Sequence, residues 1–314
     1  MKCVVTGACG FIGINLCKKL LDDGHYVTGI DNFIVGTIDE LKRTCGEYKN
    51  FNFKQFDLSK RYSDESLFED IEVIYHLGGM SGVRESILTP DIWFDNNVKA
   101  TFNTLEIARK YTIKNIVIAS SSACAGDVPP PMHEEMPMHP ISPYGASKGC
   151  KELFTSAYYH SYGMNVSALR FSNVYGPHST IKVSLVAKFI RKILQSEQIN
   201  IYGNGEQTRD FIYVDDLTDA VIKASKKKVG GEIFQICTGV ETSVNKITSV
   251  ILNKMKDIGY SIPTVKNLPP AKGDVMTNYA DNSKAKKILK WEPKVNIEQG
   301  INETIQWFVR EAIL

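Results

Sequence analysis

The chain has 314 residues, 43% hydrophobic and 23% charged, ordinary for a soluble globular protein and long enough for two domains or one large α/β unit with a lobe attached. Lys plus Arg number 37 against 35 Asp plus Glu, a formal net charge of +2, which argues against nucleic acid as a main partner. No apolar run reaches the roughly 18 residues that span a bilayer, so no membrane partner is expected.

The chain opens Met1-Lys2-Cys3-Val4-Val5-Thr6-Gly7, which lacks the apolar core of a signal peptide and reads as a buried strand. Seven scattered cysteines with no C-x-x-C spacing read as reduced small hydrophobes, and the chain as cytoplasmic. No metal-ligand spacing occurs. β-Branched runs predict strands over 3–6, 26–30, 51–56, 73–77 and 116–120. Phe11, Ile12, Leu16 and Leu20 recur at helical spacing between the first two. Repeated strand–helix units imply right-handed crossovers and a doubly wound α/β parallel sheet covered on both faces. After Phe171 the alternation weakens. Residues 1–172 therefore read as the sheet domain, and 173–314 mainly as a smaller C-terminal α/β lobe, with later segments returning to the sheet.

Thr6-Gly7-Ala8-Cys9-Gly10-Phe11-Ile12-Gly13 follows a strand and opens a helix. Glycines there let the backbone turn tightly and approach a pyrophosphate at the helix N-terminus. Asp31, ending the second strand, is placed to accept the adenosine ribose hydroxyls and to repel a 2′-phosphate. Asn32-Phe33-Ile34 offers such a phosphate no cation, so NAD is expected over NADP. Asp57-Leu58 ends the third strand, where Asp57 either meets the adenine edge or is a turn carboxylate. Leu77, Gly78 and Gly79 leave room for the cofactor at the fourth strand end, and His76 reads as a packed histidine.

A helix starts near Tyr144, and Tyr144 and Lys148 share one of its faces. A tyrosine that takes a proton must be a phenolate, and bringing a phenol from its ordinary pKa of about 10 to neutrality takes about 4 kcal/mol. A neighbouring ammonium and a positive nicotinamide ring would supply it. Ser120-Ser121-Ser122 stands beside them at the fifth strand end.

These motifs resemble the extended short-chain dehydrogenase/reductase superfamily, within it the NAD-dependent epimerase/dehydratase family. Arg170-Phe171-Ser172-Asn173-Val174-Tyr175-Gly176-Pro177, the run from Tyr202 to Phe211 through Arg209, Gly273-Asp274 and Trp291-Glu292-Pro293 carry the resemblance through nearly the whole chain. It implies a Rossmann-type sheet, bound NAD and a nucleotide-sugar substrate, most like the UDP-glucose (UDP-galactose) 4-epimerases. It implies that Ser121 and Tyr144 pass the proton of the sugar 4-hydroxyl and that Lys148 holds the nicotinamide ribose. Ser122, Asn173 and Arg209 would bind substrate, Arg209 through its paired donors to phosphate unless a salt bridge to an Asp claims it.

Several positions depart from the family pattern. Cys124-Ala125-Gly126 lacks the usual aromatic wall of the sugar pocket, and His178-Ser179-Thr180-Ile181-Lys182 lacks the usual basic, proline-containing loop, which argues against a carboxylated sugar. Ala271, with Lys272 beside it, stands where a second diphosphate-binding Arg is common, so the phosphate clamp is either weaker or rebuilt. Dehydratase relatives place Asp-Glu after the catalytic Ser/Thr, to protonate a leaving hydroxyl and remove the C5 proton. Here those positions are Ser122 and Ala123, so 4-epimerisation is favoured over elimination, over a 4-keto-sugar reductase and over a silent NAD-binding protein. Counting from Gly273-Asp274, Asn278 lies beside the sugar C2 substituent and would admit N-acetyl groups. A one-residue shift would put Tyr279 there and reverse this. Relatives also pair helices matching 96–111 and 144–162 across a homodimer. The alternative is that Tyr158, Tyr159 and Tyr162 pack on the smaller lobe.

Overall fold

Seven strands form one sheet: β1 Lys2–Thr6, β2 Tyr26–Asp31, β3 Phe51–Gln55, β4 Val73–His76, β5 Asn115–Ser121, β6 Asn165–Phe171 and β7 Ile233–Ile236, in the order β7-β6-β5-β4-β1-β2-β3. Every neighbouring pair is parallel. The structure, a computed structural model, describes residues 1–60, 65–180, 182, 184–270 and 275–313. The expectations for Ile181, Ala271 and Gly273-Asp274 lie outside these. The five strands expected from β-branched runs are present, each end within one residue of its expected place. β6 and β7 gave weaker signals, because β6 carries buried Ser167 and Arg170 and β7 has only four residues.

Successive residues of β1 enter opposite cores, as a parallel strand covered on both faces requires. Cys3 and Val5 pack with Leu16, Val117 and Phe234 on one face, and Val4 with Ile30, Ile74 and Ile116 on the other. The strand order reverses between β1 and β4, which opens a crevice at their carboxyl ends. Leu217 and Val221 of helix Val214–Ser225 join the first core, so the second half of the chain returns to the sheet with both that helix and β7. Its remaining segments close a separate core around Phe189, Ile190, Ile247, Ile251 and Trp307. That lobe carries a three-stranded sheet in which Thr208–Arg209 lies between Thr242–Ser243 and Thr277–Asn278.

Helix Pro143–Tyr162 starts where Ser142 accepts a hydrogen bond from the Gly145 N–H at 3.1 Å, with Pro143 in the first turn, and ends at Gly163 with φ 67°. The helix expected over 96–111 is instead a π turn, Phe94–Lys99, running into Ala100–Lys110. The wider turn presents Asn97 inward, where its amide bonds both the N–H (2.7 Å) and C=O (3.1 Å) of Met80 and the Ser147 hydroxyl (2.8 Å). Tyr158 donates to Glu106 at 2.7 Å, and Tyr159 packs against Gly230 and Gly231, so these two contact the sheet unit and not the smaller lobe. All seven cysteines are free thiols. Among the described residues no helix is long and apolar enough to cross a membrane, and no cluster could hold a metal.

Candidate active site

The turn between β1 and helix Phe11–Asp22 is possible only with glycine. Gly7 has φ 69°, and a Cβ there would lie 2.9 Å from the Gly78 nitrogen; at Gly13 it would lie 2.0 Å from the Gly7 carbonyl oxygen. Gly10 caps the helix without a side-chain hydrogen bond, which leaves the first-turn N–H groups and the positive end of the helix dipole facing the crevice. That cradle fits a pyrophosphate.

Asp31 accepts from the Cys9 N–H (2.9 Å) and the Phe33 N–H (2.8 Å), so the carboxylate also braces the turn. Burial pushes its pKa up while these backbone donors oppose the shift. Asn32 bridges Asp57 (3.4 Å) and Asn96 (3.3 Å). Asp57 is a turn carboxylate, accepting from the Ser59 N–H and hydroxyl, and those bonds outweigh burial to hold its pKa below the usual range. It also borders the crevice.

A cleft of about 920 Å³ runs from Asp57 to Arg209. Every residue singled out from the sequence as a candidate cofactor, substrate or catalytic group borders it. At its floor Tyr144 lies beside Ser121, and both border the cleft. The Lys148 ammonium lies 5.8 Å from the Tyr144 ring centre and donates to the Ala119 carbonyl at 3.2 Å. Burial raises the phenol's pKa, and the Ser121 hydroxyl opposes that shift. The lowering expected from Lys148 together with a nicotinamide ring is not tested by the protein alone. Burial also brings Lys148 itself down to about 8, which weakens it as a fixed charge.

Ser122 borders the cleft, but its hydroxyl donates to Gln235 at 2.9 Å. Ala125 is buried among Met132, Cys237 and Ala280, so the position of the missing aromatic wall does not face the cleft. Among the described lining residues the carboxylates are Asp31, Asp57 and Glu85, none within two residues of the Ser121 or Tyr144 positions in the chain. His76 is packed, sharing hydrogen bonds of 2.9 Å with Thr6 and Thr101, and burial drives its pKa well down.

On the facing lobe Arg209 donates to the Thr208 and Val275 carbonyls, each at 2.7 Å, and Asn278 is its parallel-strand partner. Asn173 donates to the Asp210 carbonyl at 3.1 Å. Asn278 borders the cleft while Tyr279 does not.

Sequence reasoning missed three cations on the cleft: Arg84, Lys182 as a lining group, and Lys188. Lys182 donates to the Val174 carbonyl at 2.5 Å and lies 4.8 Å from the Phe11 ring centre, with burial lowering its pKa to about 8. It also missed the ion pair behind Tyr144 and Lys148. Arg170 donates to both Glu152 oxygens at 2.9 and 2.8 Å, with both side chains at most 1% exposed, and Ser120 donates to the same carboxylate at 2.6 Å. The available signal was Glu152 four residues beyond Lys148 on the same helical face.

The family model described as GDP-mannose 4,6 dehydratase matches residues 4–304. The chain is 35% identical over 319 residues to UDP-glucuronate 4-epimerase of Thermodesulfobacterium geofontis, covering 97% of this chain and 95% of that one. It is similar to the solved UDP-glucose 4-epimerase of Thermotoga maritima with UDP-glucose, with a TM-score of 0.90, 33% identity and full coverage of both chains (100% each). A UDP-glucuronic acid 4-epimerase from Bacillus cereus, in complex with UDP-glucuronic acid and NAD, superposes with a TM-score of 0.91 at 28% identity, over 99% of this chain and 100% of that one. With the glycine turn, the reversed strand order and the Ser–Tyr–Lys floor on one cleft, the chain belongs to the NAD-dependent epimerase/dehydratase family of the extended short-chain dehydrogenase/reductases.

Proposed function

We propose that this protein is an NAD-dependent UDP-sugar 4-epimerase, and the observation that carries the reading is the Ser121–Tyr144–Lys148 floor with no carboxylate next to it in the chain. Elimination of water needs an acid for the leaving hydroxyl and a base for the C5 proton, and Ser122 and Ala123 can be neither. Removing and restoring one proton and one hydride at C4 needs only a single proton carrier.

The Gly7–Gly10–Gly13 turn would hold the NAD pyrophosphate, Asp31 the adenosine ribose, Asp57 and Leu58 the adenine side, and Lys148 the nicotinamide ribose. NAD, when bound, takes up hydride from C4 and returns it, and brings a positive charge to the cleft. Tyr144 takes the 4-hydroxyl proton, with Ser121 orienting the oxygen between sugar and phenol. After the 4-keto sugar turns over, Tyr144 gives the proton back. Asn173 and Arg209 hold the nucleotide diphosphate while the sugar rotates, so the protein's share is orientation and electrostatics.

The test is a screen of UDP-, GDP-, CDP- and dTDP-hexoses for C4 interconversion with no NAD added. We expect turnover of UDP-glucose and UDP-galactose and, because Asn278 rather than Tyr279 borders the cleft, of UDP-N-acetylhexosamines too. Net consumption of NADH would favour a reductase.

Asp31→Ala is expected to weaken NAD binding about 10- to 100-fold and to narrow the preference over NADP, since the ribose acceptor, the turn brace and the repulsion of a 2′-phosphate vanish together. Fluorescence titration of both cofactors checks this; equal affinities in the unmutated protein would refute it.

We also propose a homodimer through Ala100–Lys110 and Pro143–Tyr162, whose outer surface and approach expose Leu153 (64%) and Phe94 (57%). Sedimentation at micromolar concentration should give about twice the 35.1 kDa chain mass. A monomer there would end the idea. A cytoplasmic location accords with the free cysteines.

A further inference from the structure

The two walls of the cleft come from different parts of the fold, and one side chain reaches between them. Arg84, in the short helix Val83–Leu88 on the sheet side, borders the cleft, and its guanidinium carbon lies 5.8 Å from the ring centre of Tyr202 on the lobe. Among the described residues Arg84 has no ion-pair partner. The neighbouring Glu85 carboxylate folds back over Gly82, where its oxygen would lie 2.4 Å from an added Cβ. A guanidinium resting on an aromatic face keeps its N–H fork available to an anion.

Tyr202 ends strand Ile199–Tyr202, and its carbonyl accepts from Gln207 at 2.7 Å, which ties off the loop that leads into Arg209. Arg84 thus touches one end of the loop whose other end carries Arg209. Arg209 is braced by two backbone carbonyls and is a fixed cation. A nucleoside diphosphate-sugar carries two negative charges, and a single guanidinium leaves one of them without a paired donor. The position where a second arginine was expected is Ala271.

We infer that Arg84 is the second cation of the diphosphate clamp, exchanging the Tyr202 ring for phosphate oxygens when the substrate binds and so joining the two walls across it. The inference rests on the nucleotide-sugar reading above. Because the contact forms with the ground state and persists through turnover, it acts on KM and leaves kcat nearly unchanged.

The experiment is calorimetric titration of the NAD-loaded protein with UDP and, separately, with uridine. Arg84→Ala should weaken UDP binding about 10- to 100-fold and uridine binding less than about twofold. Arg84→Lys should recover part of the loss, since it restores charge without the fork. With the identified sugar nucleotide, Arg84→Ala should raise KM by a similar factor. UDP binding by Arg84→Ala as tight as by the unmutated protein overturns the inference alone. Equal losses of UDP and uridine also overturn it, because they mark a damaged rim and not a lost phosphate contact. If the unmutated protein binds no UDP, the nucleotide-sugar reading falls and takes the inference with it.

Discussion

Tyr144→Phe is expected to lower turnover by about 10³-fold or more while NAD stays bound, because the ring still fills its place on the cleft floor but no group there can take the 4-hydroxyl proton. The loss should fall on kcat, since the ring's packing is retained and the proton moves only in the chemical step. A second readout follows from the electrostatics. In the protein alone, burial raises the phenol's pKa and only the Ser121 hydroxyl opposes it. On the proposed reading, the positive charge of oxidised NAD is expected to lower that pKa toward neutrality, together with Lys148 beside the ring. Ultraviolet titration of phenolate, taken as the unmutated protein minus Tyr144→Phe to remove the other tyrosines, should show Tyr144 ionising at lower pH with NAD bound than without it. Undiminished turnover in Tyr144→Phe, or a phenolate titration indifferent to NAD, would refute the assignment.

Arg170→Met should cost about 3–5 kcal/mol of folding stability, because it leaves the Glu152 carboxylate inside the protein without its two charged hydrogen bonds. For a chain of this size that is a fall in melting temperature of about 5–8 °C. Changing both residues to Met should recover much of the loss, since replacing the whole pair by apolar side chains removes the stranded charge. Thermal unfolding of the NAD-free proteins decides it. A single variant as stable as the unmutated protein would mean that Glu152 finds another partner or takes up a proton at little cost. Ser120 donates to the same carboxylate and its strand leads into Ser121, so this buried pair also supports the floor on which Tyr144 acts.

What could be read from the chain was whatever local geometry dictates. Gly7, Gly10 and Gly13 are spaced by one tight turn, Tyr144 and Lys148 by one turn of helix, and Asp31 by the end of a strand whose β-branched run is plain. Each such feature sits within a few residues of itself. Asn278 and Arg209 are strand partners in a sheet assembled from three distant segments, and nothing near either residue announces the other. The π turn at Asn97 answers to Met80 and Ser147, not to its own neighbours. Glu152 pairs with Arg170 across the β5–β6 side of the sheet, and Arg84 meets Tyr202 across the cleft, so both depend on how helices settle on strands. The burial of Tyr144 was not legible for a related reason. Spacing places Lys148 beside it, but burial, which only the packed structure supplies, acts on both groups and moves each pKa against the intended use.

The central claim is that one hydride leaves C4 and returns to the same carbon without leaving the site. UDP-glucose and UDP-N-acetylglucosamine deuterated at C4, incubated with the protein as purified and no added cofactor, test this most directly. The account predicts the C4 epimer of at least one of them with deuterium retained at C4 and no NADH released. Epimerisation with the label lost to water, or no epimer from either sugar, would contradict it.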